Sequence, residues 1–191
     1  MRVLLLFIVT SNLSYGQIGV DTLYKQAEES DTTWVETYAD GQVKKGGFLN
    51  NGLRQGEWLF YRQNGVVSMR GQFKDDKKEG TWLTYHSNGN LFVQESYTND
   101  LLEGESLIYY KSGMLLMQGG YSNNQLDGKI AWYYENGEVK TQKHLIDGNI
   151  EGRVYFGYPN GKARGLAHYK NNILIDCDGD CTDLIDKLSV K

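Results

Sequence analysis

The sequence predicts an all-β fold: an elongated, twisted antiparallel sheet of six 24-residue hairpin repeats, with short helical caps at its ends. Three series of residues carry this expectation. Gly41, Gly65, Gly89, Gly113, Gly137 and Gly161 are each 24 residues apart. Gly56, Gly80, Gly104, Gly128 and Gly152 keep the same step, and so do Leu49, Phe73, Tyr97, Tyr121, Leu145 and Tyr169. A constant period of this length means one small supersecondary unit, copied and stacked.

Six units align without a gap, at 32–55, 56–79, 80–103, 104–127, 128–151 and 152–175. The first has Thr32 in place of the opening glycine but keeps Trp34, Tyr38 and Gly41. Each unit has two arms bounded by turn residues, the pattern of a hairpin. The composition agrees: 23 Gly and 14 Tyr but a single Pro suit short strands and tight turns better than helices.

The turn at the Gly41 series has two candidate geometries. Asn-Gly alone suggests a two-residue type I′ turn. Tyr158-Pro159-Asn160-Gly161 favours a three-residue loop instead, because proline's φ suits the first central position of a type I turn. That loop sets Tyr61 opposite Val67 and Leu59 opposite Met69. The Leu59, Tyr61, Val67 and Phe73 series then share one parity, and this face is expected to be the buried one.

The flanks complete the domain plan. Arg2, the apolar run Val3–Val9, and small residues at Ser14 and Gly16 before Gln17 read as a signal peptide over 1–16. The same run is also compatible with an apolar strand of the domain. An exported protein, periplasmic, cell-surface or secreted, is the expectation. Residues 17–31 form an N-terminal cap segment, 32–175 the six-repeat β domain, and 176–191 a C-terminal cap with the Cys pair. Helical stretches are expected within 18–31 and 182–190. In an exported chain Cys177 and Cys181 are most simply a disulfide.

The units G-x-W-x-x-Y-x-x-N-G, with the later G-x-F or G-x-Y, resemble the MORN-repeat family, and most closely its bacterial antitoxin-like variant. The resemblance covers 32 to about 175. Ser106, Ile130 and Val154 depart from it by replacing Trp, and Gly157 by replacing Tyr. It implies a β-hairpin repeat module that binds lipid, serves as a scaffold, accompanies an enzyme or neutralises a partner toxin.

Candidate binding residues are aromatic. Trp34, Trp58 and Trp82 share one column, and Phe60, Trp132 and Phe156 lie two positions on, both on the face opposite Tyr61. Such rings can stack on a sugar, peptide or acyl chain, or fill that side of the sheet by stacking on one another. The DCDGDCTD segment at 176–183 opens like a calcium loop, but Lys187 stands where a bidentate Glu would be needed. His86, His144 and His168 are expected at the surface, with no metal. The turns at 74–79, 98–103 and 122–127 are expected to be solvated loops.

No nucleophile motif, zinc-protease motif or phosphate loop is present, so no enzyme activity and no cofactor are expected. The formal net charge is −4 with no run of Lys and Arg, which disfavours nucleic acid. The expected function is an exported, non-enzymatic protein-binding or scaffolding module. Alternatives are an envelope lipid- or glycan-binding module, or an immunity protein.

Overall fold

The structure, a computed structural model, describes residues 31–180. They form one antiparallel sheet of fifteen strands, of which thirteen follow sequence order from end to end and two short ones pair beside that path. The strands are β1 (Asp31–Thr37), β2 (Val43–Asn50), β3 (Leu53–Tyr61), β4 (Val67–Lys74), β5 (Lys77–Tyr85), β6 (Leu91–Thr98), β7 (Leu101–Leu102) and β8 (Gly104–Tyr109). They continue as β9 (Leu115–Ser122), β10 (Gln125–Tyr133), β11 (Val139–Ile146), β12 (Asn149–Ile150), β13 (Gly152–Gly157), β14 (Ala163–Lys170) and β15 (Ile173–Gly179). The signal segment, both expected helical caps and Cys181 lie outside the described residues. Cys177 lies on β15, so the sheet runs past the expected domain end at 175.

The three-residue loop is present. The Gly65 amide donates to Arg62 O at 2.9 Å, and the Arg62 amide to Val66 O at 2.8 Å. Gly65 takes φ +80°, the left-handed region that ends a bulged type I hairpin. Gly89 is equivalent, at φ +89°, and open space surrounds its would-be Cβ. Only backbone strain therefore opposes a side chain there. Gly89→Val is expected to lose about 1–3 kcal/mol, read as a lowered denaturant midpoint; an unchanged midpoint would show that this conformation is not required.

The expected facing is half right. Tyr61 does pair with Val67, but the next pair is Phe60 with Met69, and Leu59 faces Arg70. Ser68 is the extra residue of a bulge. The same shift occurs in all six hairpins, leaving Lys44, Phe92, Leu116, Lys140 and Arg164 as its counterparts. One inserted residue reverses the alternation of the rest of the strand. Phe73 therefore moves to the face of Trp58, away from Leu59 and Tyr61, which corrects the expected grouping.

The hairpins join through turns tighter than the expected loops. Asp75 and Asp76 both take positive φ, at 50° and 67°, as do Asn99 and Asp100, Asn123 and Asn124, and Asn171 and Asn172. Two successive left-handed residues make a type I′ turn, whose twist matches that of the strands. Asp and Asn tolerate this conformation because the short polar side chain bonds locally. Here that bond crosses to the preceding repeat. Asp76 Oδ1 accepts the Arg54 amide at 3.0 Å, Asp100 Oδ1 the Lys78 amide at 2.7 Å, and Asn124 Oδ1 the Leu102 amide at 2.7 Å.

A second ladder closes the other edge. Tyr38 Oη donates to Tyr61 O at 2.8 Å, Tyr110 Oη to Tyr133 O at 2.8 Å, and Tyr134 Oη to Gly157 O at 3.1 Å. Arg62 and His86 take the same place, bonding Tyr85 O and Tyr109 O. His86 is thus a half-buried structural group, unlike the expected surface histidine, whereas His144 and His168 are exposed.

Candidate binding surface

The bulge divides the sheet into a tryptophan face and a tyrosine face. On the first, Trp58 and Trp82 are each 2% exposed. Trp34 stacks on Trp58 with centroids 5.6 Å apart, and Phe73 stands edge-on to Trp58 and Trp82 at 5.9 and 4.9 Å. Both buried indoles donate their N–H to backbone carbonyls, Trp58 to Phe48 and Trp82 to Gln72. Cations cover the stack: the Arg54 guanidinium lies 3.7 Å from the Phe73 centroid, and Lys78 Nζ lies 4.5 Å from that of Trp82. Farther along, the Arg54 column becomes Leu102, Leu126, Ile150 and Leu174, and a mixed cluster of Met117, Ile130, Val154 and Phe156 replaces the tryptophan stack.

Close approach pairs each buried tryptophan with a glycine. Trp58 lies over Gly47 and Trp82 over Gly71, each glycine leaving no room for a Cβ. In the unit 104–127 both partners change: Ser106 replaces Trp, and Glu95 replaces the glycine. Ser106 is 2% exposed, so a buried polar site separates the tryptophan cluster from the mixed one. Tyr97 Oη donates to Glu95 Oε2 at 2.9 Å. Burial, then this bond, pushes the Tyr97 phenol up to about 12. Burial, then the Glu95 charge, also raises Tyr121.

These shifts carry a sign. An unfolded tyrosine loses its proton near pH 10, before folded Tyr97 does. Tyr97 therefore contributes stability below pH 10 that is lost as pH rises toward about 12. In Tyr97→Phe the fall in urea midpoint between those pH values is expected to be shallower than in wild type. Parallel curves would show that this phenol ionises normally.

The tyrosine face is built differently. Only near its start is it closed, where Leu59 and Phe48 are buried. Beyond that, Leu83, Leu107, Ala131 and Tyr155 form one half-buried column, and Tyr61, Tyr85, Tyr109 and Tyr133 another. Val67, Leu91, Leu115 and Val139 form a third. Gln94, Gln118 and Gln142 stand across the strands from Leu83, Leu107 and Ala131. Apolar side chains thus alternate with phenol and amide groups over four consecutive hairpins. The face expected to be buried is the more open one, because the parity reversal sends the Phe73 series to the other side.

The six candidate aromatic residues all belong to the tryptophan face. Trp58, Trp82 and Phe156 are buried within it, and Trp34, Phe60 and Trp132 are half-buried. They lie in two packed clusters, Trp34, Trp58, Phe60 and Trp82 in one, Trp132 and Phe156 in the other. Of the cysteine pair, Cys177 lies on the edge strand β15, with its partner outside the described residues. The linear reading missed an exposed basic block. Lys129 faces His144 across β10–β11, and Arg153 faces His168 across β13–β14. Only the register brings these separated residues together.

Comparison with known proteins supports the repeat reading. The family model described as MORN repeat variant matches residues 54–75, 78–99, 102–123 and 126–147. No curated protein matches the chain. Among solved structures, it is similar to "Glycosylation Associate Protein (Gap123) complex from Streptococcus agalactiae", at 14% identity and a TM-score of 0.33. That alignment covers 88% of this chain and 25% of the other. With four consecutive matched units inside a sheet of identical hairpins, the chain is a member of the MORN-repeat family.

Proposed function

We propose that this protein is a non-enzymatic, exported module that binds another protein through its tyrosine face. The half-buried Tyr61, Tyr85, Tyr109 and Tyr133 column carries this reading. Tyrosine offers a broad apolar ring and a hydroxyl at low conformational-entropy cost, which suits a protein-binding surface. The side chains stand on paired strands of a rigid sheet, so little ordering is needed on binding. Export rests on Arg2, the Val3–Val9 run and the small residues before Gln17.

Capture from the producing cell under mild crosslinking tests the proposal. Wild type is expected to retain a partner, and Tyr85→Ala with Tyr109→Ala to lose it. Loss of central interface rings typically costs about 2 kcal/mol or more, roughly thirtyfold in affinity. Capture of nothing, or capture that survives both substitutions with folding intact, would sink it. The alternative, envelope lipid or glycan on the tryptophan face, draws on half-exposed Trp34, Phe60 and Trp132. Co-sedimentation with liposomes or polysaccharide, lost in Trp132→Ala, would favour that reading instead.

A further inference from the structure

We propose that the tyrosine face pairs with the same face of a second copy of this chain, about a twofold axis parallel to the strands. This rests on the protein-binding reading above and names the partner. One column of the face changes sign along the array: Glu57 and Glu105 come first, Lys129 and Arg153 later. Their neighbours Trp58, Ser106, Ile130 and Val154 are buried on the opposite side, so all four point to the tyrosine face. Lys129 and Arg153 are exposed, as are His144 and His168 across the strands from them. Asp176 stands opposite His168, and Asp127 and Glu151 lie two residues before Lys129 and Arg153. Among the described residues no carboxylate forms an ion pair with Lys129 or Arg153.

A twofold axis parallel to the strands keeps each column and reverses the order of repeats. Placed along β9, midway between β8 and β10, it sets Glu105 against Lys129 of the partner subunit. By symmetry the reciprocal pair forms at the same time. The same operation sets Leu107 against the smaller Ala131 of the partner subunit. Gly120, with no side chain and on the axis, comes against Gly120 of the partner subunit. Sheets packed face to face keep their strands within about 30° of alignment, so the columns remain in reach across several hairpins. An acidic peptide would match only the basic half. A second copy stacked in the same direction would set Lys129 on Lys129 of the partner subunit. The reversed copy instead opposes Glu105 and Lys129 of the partner subunit, twice over.

Sedimentation velocity on the full chain tests this with Glu105→Lys and Lys129→Glu. Wild type is expected to dimerise. Each variant alone opposes like charges and is expected to dissociate at least about tenfold more readily. An equimolar mixture of the two restores both opposite-charge pairs, so dimer is expected to reappear. A wild type that stays monomeric, variants that dimerise as wild type does, or a mixture that fails to recover would each overturn the pairing. A monomeric wild type that still captures a partner through Tyr85 and Tyr109 would overturn it while leaving the protein-binding reading in place.

Discussion

Trp82→Ala is expected to lower stability by about 3–5 kcal/mol, the range for emptying a buried tryptophan site. The ring is 2% exposed and stands between Phe60, Phe73 and Tyr97, with centroid distances of 6.1, 4.9 and 6.3 Å. Its indole N–H also satisfies the Gln72 carbonyl. Removing it opens a cavity that neighbours on a hydrogen-bonded sheet cannot move to fill, and it strips Lys78 of one of the two rings beneath it. Urea denaturation would show a lower midpoint with the slope unchanged. A loss below about 1 kcal/mol would mean that the ring is not packed as described. Trp132→Ala is the control: that ring is only half-buried, and a smaller loss is expected.

Gly71→Ala is expected to lose about 1–3 kcal/mol by overpacking. A Cβ built on Gly71 lands on the Trp82 ring. The backbone there is ordinary strand, so the effect is one of space alone. A second substitution should therefore relieve it. Gly71→Ala together with Trp82→Val is expected to be less destabilised than the two single losses added, with a coupling of about 0.5–3 kcal/mol. The molecule contains its own precedent. Val154 stands in the Trp82 column three repeats along, where the residue beneath is Lys143 rather than glycine. Additive losses in the double-mutant cycle would refute the steric account.

The repeats themselves were legible because glycine at positive φ has no good substitute. Gly41, Gly65, Gly89, Gly113, Gly137 and Gly161 all take φ between +77° and +91°, so their spacing survives where the aromatic columns drift. The three-residue loop was legible for a related reason: Pro159 is compatible with only some turns. The type I′ turns were harder to see. Asp75-Asp76 and Asn99-Asp100 lack the glycine that usually signals such a turn, and their compensation is a hydrogen bond to a residue of the preceding repeat. A local reading finds polar residues there and expects a loop.

Facing was misjudged for one reason. Ser68 is an unremarkable residue, and nothing in its identity marks it as the extra member of a bulge. Its counterparts are of mixed kind, Lys44, Lys140 and Arg164 basic and Phe92 and Leu116 apolar. The bulge is set by the left-handed glycine at the turn and by the twist it imposes, so it leaves no signature of its own. Missing it exchanged the buried and open faces for the Phe73 series. It also hid the row from Glu105 to Lys129 and Arg153, whose cross-strand neighbours depend on the register.

From the residue order alone came the period, the hairpin unit, the glycine turns and the all-β class, because each depends on local backbone geometry that a few residue types dictate. Which face packs, which aromatic rings are buried, and where charges gather across strands were decided only by the assembled sheet. Those properties depend on pairing between residues far apart in the chain. A single-residue shift in that pairing moves half of each second strand to the other side.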